Sequence, residues 1–513
     1  MTETKAVIEI GSTGIRLLVV ELTQSDSATA PQWHTVDKSE LPIPLGRDVF
    51  TTGVVSRDTL VSCLHIIYRF QEQLKAWHIE PENIAVIATS ALRVARNRDA
   101  VLDRIMVKTG YRVKVIDGIE QNRLMYLGVW DAFADNRDEI ESHNAIILEV
   151  GGGATDIMLM AQGKIAGVHT LKLGTIIIEQ HLKSMSSARD TYRFLEDYIR
   201  VMRSSMDQEL NFSHITQFVA VGQDAQVIAK NCGVQIGSKL WCISREQFYA
   251  FTDEVQSYSA EECVLKFKIS YNEAQTFAIA LMTYKFFLQF THAEYILVPN
   301  TNTREGLILS VIQQPNQELQ ENFLSQIAAS AWTLARRYKT DQQHADSVRI
   351  IALKLFDGLK DELGLAPEGR IILEVAAILH DIGVFIGVDD HHLHSSYIIS
   401  NSDIFGLSRD QLDMISQISY GHRGKTSPRD LPHFAKQDRE TRMTILKLTS
   451  LLRIADALDR GHGKKIQDFT IEFHSDTLII RCAGAHSLAL EQRALEEKAS
   501  LFEAVFGHKV ILS

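Results

Sequence analysis

EIGSTGIRLLVVE (residues 9–21) and ILEVGGGATDIML (residues 147–159) share one design: an apolar run, a glycine-bearing turn, and a second apolar run. In the first copy Gly11 removes the side chain where the backbone bends, and Ser12 and Thr13 add hydroxyls before IRLLVVEL returns. In the second, Gly151, Gly152 and Gly153 form the turn, and Ala154 and Thr155 lead into the returning strand. A β-turn-β unit of this kind presents a concave row of backbone donors, which suits phosphate oxygens. Taken singly, each copy also reads as an ordinary hairpin with glycines chosen for positive φ. Two copies, each with an acid two residues ahead of its first glycine (Glu9 and Glu149), point to two halves of one phosphate site.

Two further stretches lie between these turns: IAVIATSALRVARNRD at 84–99 and VIDGIEQNRLMYLGV at 115–129. AVGQDAQVIAK at 220–230 and NTREGLI at 302–308 follow. Together and in this order they resemble the Ppx/GppA family, the exopolyphosphatases and guanosine pentaphosphate phosphohydrolases of the actin-like ATPase superfamily. The resemblance implies a duplicated actin-like, ribonuclease H-like α/β fold, with residues 1–130 and 131–310 as two lobes. Its implied activity is removal of terminal phosphate from polyphosphate or pppGpp in the cleft between the lobes, by metal-assisted attack of water. The phosphate would be held by Gly11, Ser12, Thr13, Arg93, Gly151, Gly152, Gly153, Ala154 and Thr155. Glu9 and Glu149 would face a Mg or Mn ion, and the water-activating acid would come from the segment around Glu120. Two departures fall within this set. The family has Asp where Glu9 and Glu149 stand, and its general-base Glu aligns with Gln121, an amide that cannot accept a proton at neutral pH.

A different constellation follows. EVAAILHDIGVFIG at 374–387 is an apolar helix interrupted by His380 and Asp381, and His344 opens a helix with apolar residues at Val348, Ile351, Leu353 and Leu355. DDHHLHSSYII brings His391, His392 and His394, SYGHRG brings His422, and LLRIADALDR brings Asp456. The order resembles the HD metal-dependent phosphohydrolase superfamily. It implies an HD-like all-α domain over 311–465 with His344, His380, Asp381, His394, His422 and Asp456 as ligands for Mn, Fe, Zn or Mg. The alternative is histidines paired with acids at an interface, and the crowded run at 389–394 fits that in part. If chemistry resides here, the amino-terminal half is a sensor; if nowhere, Gln121 marks a binding regulator.

Composition excludes more than it selects. With 513 residues, 45% of them hydrophobic, the chain exceeds one core. Sixty-four acidic against 53 basic residues give a formal charge of −11, so a polyanion would need locally gathered cations. RVARNR at 93–98, Lys425, Arg429 and RGHGKK at 460–465 are such clusters or else solvated faces. No nucleic-acid module is recognisable. Five scattered cysteines (63, 232, 242, 263 and 482) read as thiols in a reducing cytoplasm. MTETKAVIEI lacks the pattern of a secretory signal, and the longest apolar stretch, 276–290, contains Lys285 and reads as a core helix rather than a membrane span. Residues 466–513 read as a small α+β cap of two strands, a helix over 490–507 and a last strand. The family resemblance implies a homodimer.

Overall fold

The computed structural model describes residues 2–23, 32–183, 188–312, 317–423, 427–431, 433–466, 468–474, 476–482 and 488–513. Lys425 lies outside them. The chain forms two compact units, Met1–Asn322 and Phe323–Ser513.

The first unit contains two sheets. Strands β1 (Thr2–Ile10), β2 (Gly14–Thr23), β3 (Gln32–Pro42), β4 (Ile84–Ala88) and β5 (Val113–Val115) pair in the order β3-β2-β1-β4-β5. The first three form an antiparallel meander, and β4 and β5 add in parallel. Strands β6 (Asn144–Val150), β7 (Thr155–Ala161), β8 (Lys164–Leu171), β9 (Gln217–Val221) and β12 (Tyr295–Pro299) repeat that order as β8-β7-β6-β9-β12. Beyond β12, β11 (Leu240–Ser244) and β10 (Val234–Ile236) extend the second sheet antiparallel. Identical order and direction in two sheets is the duplicated actin-like arrangement that the family resemblance implies.

Helices cover both faces of each sheet, and the period of two along a strand decides which side chain meets which helix. In β1, Ala6, Ile8 and Ile10 pack with Ile67, Phe70 and Leu74 of the helix Arg57–Ala76. Val7, and with it Glu9, faces the other way, toward Leu124 of the helix Gly118–Ala132 and Ile308 of the helix Thr303–Ile312. In β6 and β7, Ile146, Leu148, Ile157 and Leu159 belong to a core that includes Phe277, Ala280, Leu281 and Tyr284 of the helix Tyr271–Gln289. Glu149 and Asp156 therefore stand on the opposite face. This last helix is the apolar 276–290 stretch. No described helix is long and apolar enough to cross a membrane.

The second unit packs the helices Gln342–Leu359, Gly369–Leu379, His391–Ser400, Arg409–Tyr420 and Arg439–Leu458 around a core of Leu355, Leu379, Ile415 and Leu451, all fully buried. β13 (Phe469–His474), β14 (Thr477–Cys482) and β15 (Lys509–Leu512) follow, with β15 parallel to β14. The single helix expected over 490–507 is two, Ala489–Lys498 and Ser500–Phe506, separated at Ala499.

The helices Gly118–Ala132 and Thr303–Ile312, which together roof the Glu9 face of β1, meet at Gly306. A β-carbon there would overlap the carbonyl oxygen of Leu124, an obstacle that no rotamer change relieves. Gly306→Ala is expected to destabilise the protein by about 1–3 kcal/mol, measured as a lowered urea midpoint at unchanged m-value.

Candidate active site

The two glycine turns are built alike and touch. Gly11 N–H donates to the Gly14 carbonyl at 3.0 Å, and Gly151 N–H donates to the Ala154 carbonyl at 2.9 Å, so each hairpin closes around a two-residue tip: Ser12–Thr13 and Gly152–Gly153. A β-carbon on Gly152 would lie 3.2 Å from Ser12 Cβ. The second tip is held from behind, where Thr175 and Ile176 amides donate to the Gly151 and Gly152 carbonyls, each at 2.9 Å. Ser12 Oγ lies 3.1 Å from Ser90 Oγ, which ties the first tip to the ATSALR segment.

Between the tips is a crevice of about 140 Å³. Glu9, Gly11, Ser12, Thr13, Gln121, Glu149, Gly151, Gly152 and Ala154 line it, as the sequence suggests. The remaining candidates stand elsewhere. Gly153 packs against Phe50 and Ser90, and Thr155 is fully buried with its hydroxyl donating to the Leu173 carbonyl at 2.5 Å. Arg93 reaches the Ile116 carbonyl at 3.1 Å and Gln121 Oε1 at 3.5 Å, so it positions Gln121 rather than lining the crevice. Glu120 is engaged by Arg123 at 2.7 and 2.9 Å and by Lys114 at 3.7 Å. Asp117 caps the helix Gly118–Ala132, and 100° per residue then turns Glu120 away from Gln121. Burial alone would raise the Glu120 carboxyl, but Arg123 and Lys114 outweigh it and hold the group below its ordinary range.

Sequence reading missed five charged groups here: Arg16, Asp156, Asp224, Glu273 and Arg304. Hairpin register supplies the first two. A two-residue tip pairs Glu9 with Arg16 in one copy and Glu149 with Asp156 in the other. Arg16 binds Glu40 at 2.8 Å and Thr13 Oγ1 at 3.1 Å, and Arg304 binds Glu9 at 3.3 Å. Asp156 accepts from Thr170 Oγ1 at 2.6 Å and from Gln121 Nε2 at 2.8 Å. The crevice is thus lined by four carboxylates (Glu9, Glu149, Asp224, Glu273) against two guanidinium groups (Arg16, Arg304).

That excess shows in protonation. Burial, then Asp156 and Glu9, push the Glu149 carboxyl up to about 8, while Arg16 and Arg304 oppose the shift only in part. Burial pushes Asp156 up to about 6, and burial with Glu273 pushes Asp224 up to about 7. Glu149 Oε2 is sealed from solvent without a hydrogen-bond partner among the described residues. An orphaned carboxylate oxygen beside two further acids fits a cation.

The second unit gathers the other constellation. Four imidazole Nε2 atoms converge on Asp381: His380 at 3.6 Å and His344 at 4.0 Å from Oδ2, His391 at 3.2 Å and His422 at 3.4 Å from Oδ1. Asp456 Oδ1 lies 3.6 Å from His344 Nε2. His391 stands where the sequence reading placed His394. Asp390 takes the left-handed conformation (φ 55°) and starts the helix at His391, whose Nδ1 lies 2.8 Å from the Val388 carbonyl; His394, one turn on, packs beside Gly383. Asp459 and Lys498 were also missed: Asp459 holds His344 Nδ1 at 2.8 Å, and Lys498 pairs with Asp456 Oδ2.

The fold and the doubled glycine tips define an actin-like phosphate-handling protein. Residues 26–314 match the Ppx/GppA phosphatase family, and residues 328–501 match Ppx/GppA phosphatase, domain III. The chain belongs to the Ppx/GppA phosphatase family. It is 24% identical over 498 residues to a guanosine-5'-triphosphate,3'-diphosphate pyrophosphatase of Aeromonas hydrophila, covering 93% of this chain and 91% of the relative. It is 23% identical over 473 residues to the protein of that name in Vibrio parahaemolyticus, covering 90% and 88%. Among solved structures, an exopolyphosphatase from Cytophaga hutchinsonii superposes with a TM-score of 0.52 at 16% identity, over 61% of this chain and 98% of that one.

The buried acids set a pH dependence. Between about pH 4.5 and 8 folded Glu149 keeps a proton that the unfolded chain has lost, and Asp156 and Asp224 act in the same direction over narrower windows. Stability of the metal-free protein is therefore expected to fall as pH rises from 5 to 8, and millimolar Mg²⁺ is expected to restore it by replacing the proton. Glu149→Gln should flatten the slope and weaken the Mg²⁺ effect, both read from Tm against pH.

Proposed function

We propose that the chain is a phosphohydrolase that removes the terminal phosphate of pppGpp or inorganic polyphosphate in the crevice between its two actin-like lobes, residues 1–130 and 131–310. The observation that carries this reading is the contact of two identically closed hairpin tips above paired buried acids. The names of the full-length relatives, which cover about nine tenths of this chain, agree with it.

In this reading the tips Ser12–Thr13 and Gly152–Gly153 cradle the phosphoryl oxygens through backbone donors. Glu149 and Glu9 would hold a divalent cation, Mg or Mn, which would supply the positive charge that the two arginines leave wanting. Gln121 takes the role of orienting the attacking water. Phosphoryl transfer through a loose transition state demands little proton abstraction at the start, and a fixed amide suffices for orientation, as in GTPases. Gln121 is fixed at both ends, by Asp156 on Nε2 and Arg93 on Oε1. Asp156, pushed up to about 6, stands behind it as a proton store. A glutamate at 121 would set two carboxylates 2.8 Å apart. The amide removes that conflict and keeps the water site.

Residues 311–465, of which all beyond Asn322 fall in the second unit, are read as an HD-like domain whose ligands would suit Mn, Fe, Zn or Mg, with 466–513 as the cap.

Phosphate release from pppGpp and from long-chain polyphosphate, with Mg²⁺ or Mn²⁺, tests the assignment. Glu149→Gln is expected to lower kcat/KM by about 10²-fold or more. Gln121→Ala should lower kcat by about 10–10²-fold with KM little changed. Glu120→Ala, which removes only an ion pair outside the crevice, should cost less than about fivefold. No release from either substrate by the unmodified protein refutes the proposal.

A further inference from the structure

We infer that a second cavity of the amino-terminal unit binds the base of a guanine nucleoside, apart from the crevice and independently of its chemistry. The cavity, of about 190 Å³, lies between the edge strand β3 and the ends of β11 and β12 that carry Lys239 and Asn300. One stretch of chain walls both spaces: Asn302, Thr303 and Arg304 line the crevice, whereas Asn300, Thr301 and Glu305 line this cavity. No lining residue is common to the two.

Its walls are of two kinds. Trp33 stands on β3 opposite Leu22, and its ring packs against the core of Val7, Leu18 and Leu22 while it also lines the cavity. Lys239 Nζ lies 5.8 Å from the ring centroid. A half-buried indole fixed in this way is a stacking platform, worth about tenfold or more in affinity to a flat base. Glu305 supplies the other kind of wall. It is 5% exposed, Lys38 donates to its Oε1 at 2.6 Å, and its Oε2 has no donor among the described residues. A buried carboxylate with an unused oxygen is an acceptor in want of an N–H. The Lys38 side chain is 45% exposed, so it can turn outward and leave the whole carboxylate to an incoming group.

The ligand class follows from what satisfies these walls. An apolar cavity of about 150 Å³ takes one benzene ring, so this one admits a single bicyclic heterocycle and leaves its sugar outside. A cation is disfavoured, because Lys38 already pairs with Glu305 and Lys239 with Asp131 at 2.7 Å. A neutral ring must therefore bring the N–H donors. Guanine presents two side by side, N1–H and the 2-amino group, which match the two oxygens of one carboxylate. Adenine would set the N1 lone pair against that carboxylate, and uracil its carbonyls. Asn300, whose side-chain amide has no partner among the described residues, offers a donor to the O6 carbonyl that adjoins N1. Its place is fixed by its own backbone N–H, which donates to the Lys239 carbonyl at 2.7 Å.

Guanosine is the probe, since it has no phosphate for the crevice to grip. Titrated into the full chain in a calorimeter, it is expected to bind at one site per chain. Inosine, which lacks only the 2-amino group, should bind about 10–10²-fold more weakly, and adenosine more weakly still. Trp33→Leu should weaken guanosine about tenfold or more, and Glu305→Gln about 10²-fold, with Tm confirming that each variant is folded. Glu149→Gln, in the crevice, should leave the affinity within about twofold. The nucleoside comparison on the unmodified protein keeps the inference testable if a variant does not fold. No binding of guanosine at millimolar concentration overturns it, as does equal affinity for the three nucleosides. So does undiminished binding by folded Trp33→Leu, or loss of binding in Glu149→Gln. None of these outcomes depends on turnover, so failure of pppGpp or polyphosphate release bears on the crevice alone.

Discussion

More negative than positive charge is buried between the two hairpin tips, and the rest of the amino-terminal unit is arranged around that imbalance. The duplication creates it. In the first hairpin the residue opposite Glu9 is Arg16; in the second the residue opposite Glu149 is Asp156. One copy is locally neutral, the other doubly acidic. Buried like charges are tolerable only if one group keeps its proton or a cation joins them. The structure provides for both, with Glu149 pushed up to about 8 and one of its oxygens left unpartnered. A polyanionic ligand, as proposed for this site, would meet that excess of negative charge, so its binding would be thermodynamically coupled to that of a cation.

The remaining charges serve that coupling. Arg304 reaches Glu9 from the first turn of the helix Thr303–Ile312, and Arg16 bridges Thr13 and Glu40. Neither guanidinium lies against Glu149. The neutralised half of the crevice is the one whose tip carries side-chain hydroxyls, and the unneutralised half is the one whose tip is glycine alone. Backbone donors can approach a phosphate closely where no side chain intervenes, and the unpartnered Glu149 oxygen lies on that same side. Gln121 extends the pattern, because an uncharged group beside Asp156 keeps a further negative charge out of the acidic half.

How far the sequence discloses this depends on the distance over which each feature is encoded. The glycine turns are local, and so are the β-turn-β units they define; their duplication implies the fold. The pairing of Glu149 with Asp156 is nearly local too, since a two-residue tip sets register for the residues flanking it, and reading that register would have exposed Asp156 and Arg16. Asp224, Glu273 and Arg304 arrive from elements 70–160 residues away along the chain, and no spacing rule connects them. Glu120 and Gln121 are neighbours, and only the Asp117 cap decides which of them faces inward. In the second unit the clustering of His344, His380, Asp381, His422 and Asp456 was legible, but His391, His392 and His394 sit on one short helix at different angles. The choice of His391 is made by a left-handed Asp390, which nothing in the composition of that run announces.

The two units solve one electrostatic problem in opposite ways. In the crevice, carboxylates outnumber the arginines, and retained protons reduce the excess charge. In the histidine cluster, carbonyls orient Nδ1 of His380, His391 and His422, the Asp459 carboxylate orients Nδ1 of His344, and the four Nε2 atoms are crowded together. Burial alone would lower His344, but Asp456, Asp459 and Asp381 outweigh it and raise the ring to about 9; burial holds His380 down to about 4. One ring of a facing pair is thus charged while its neighbour stays neutral, which is how a proton shares a gap between two bases. Lys498 balances Asp456 from outside, so the acids are not left to bind that proton more firmly still.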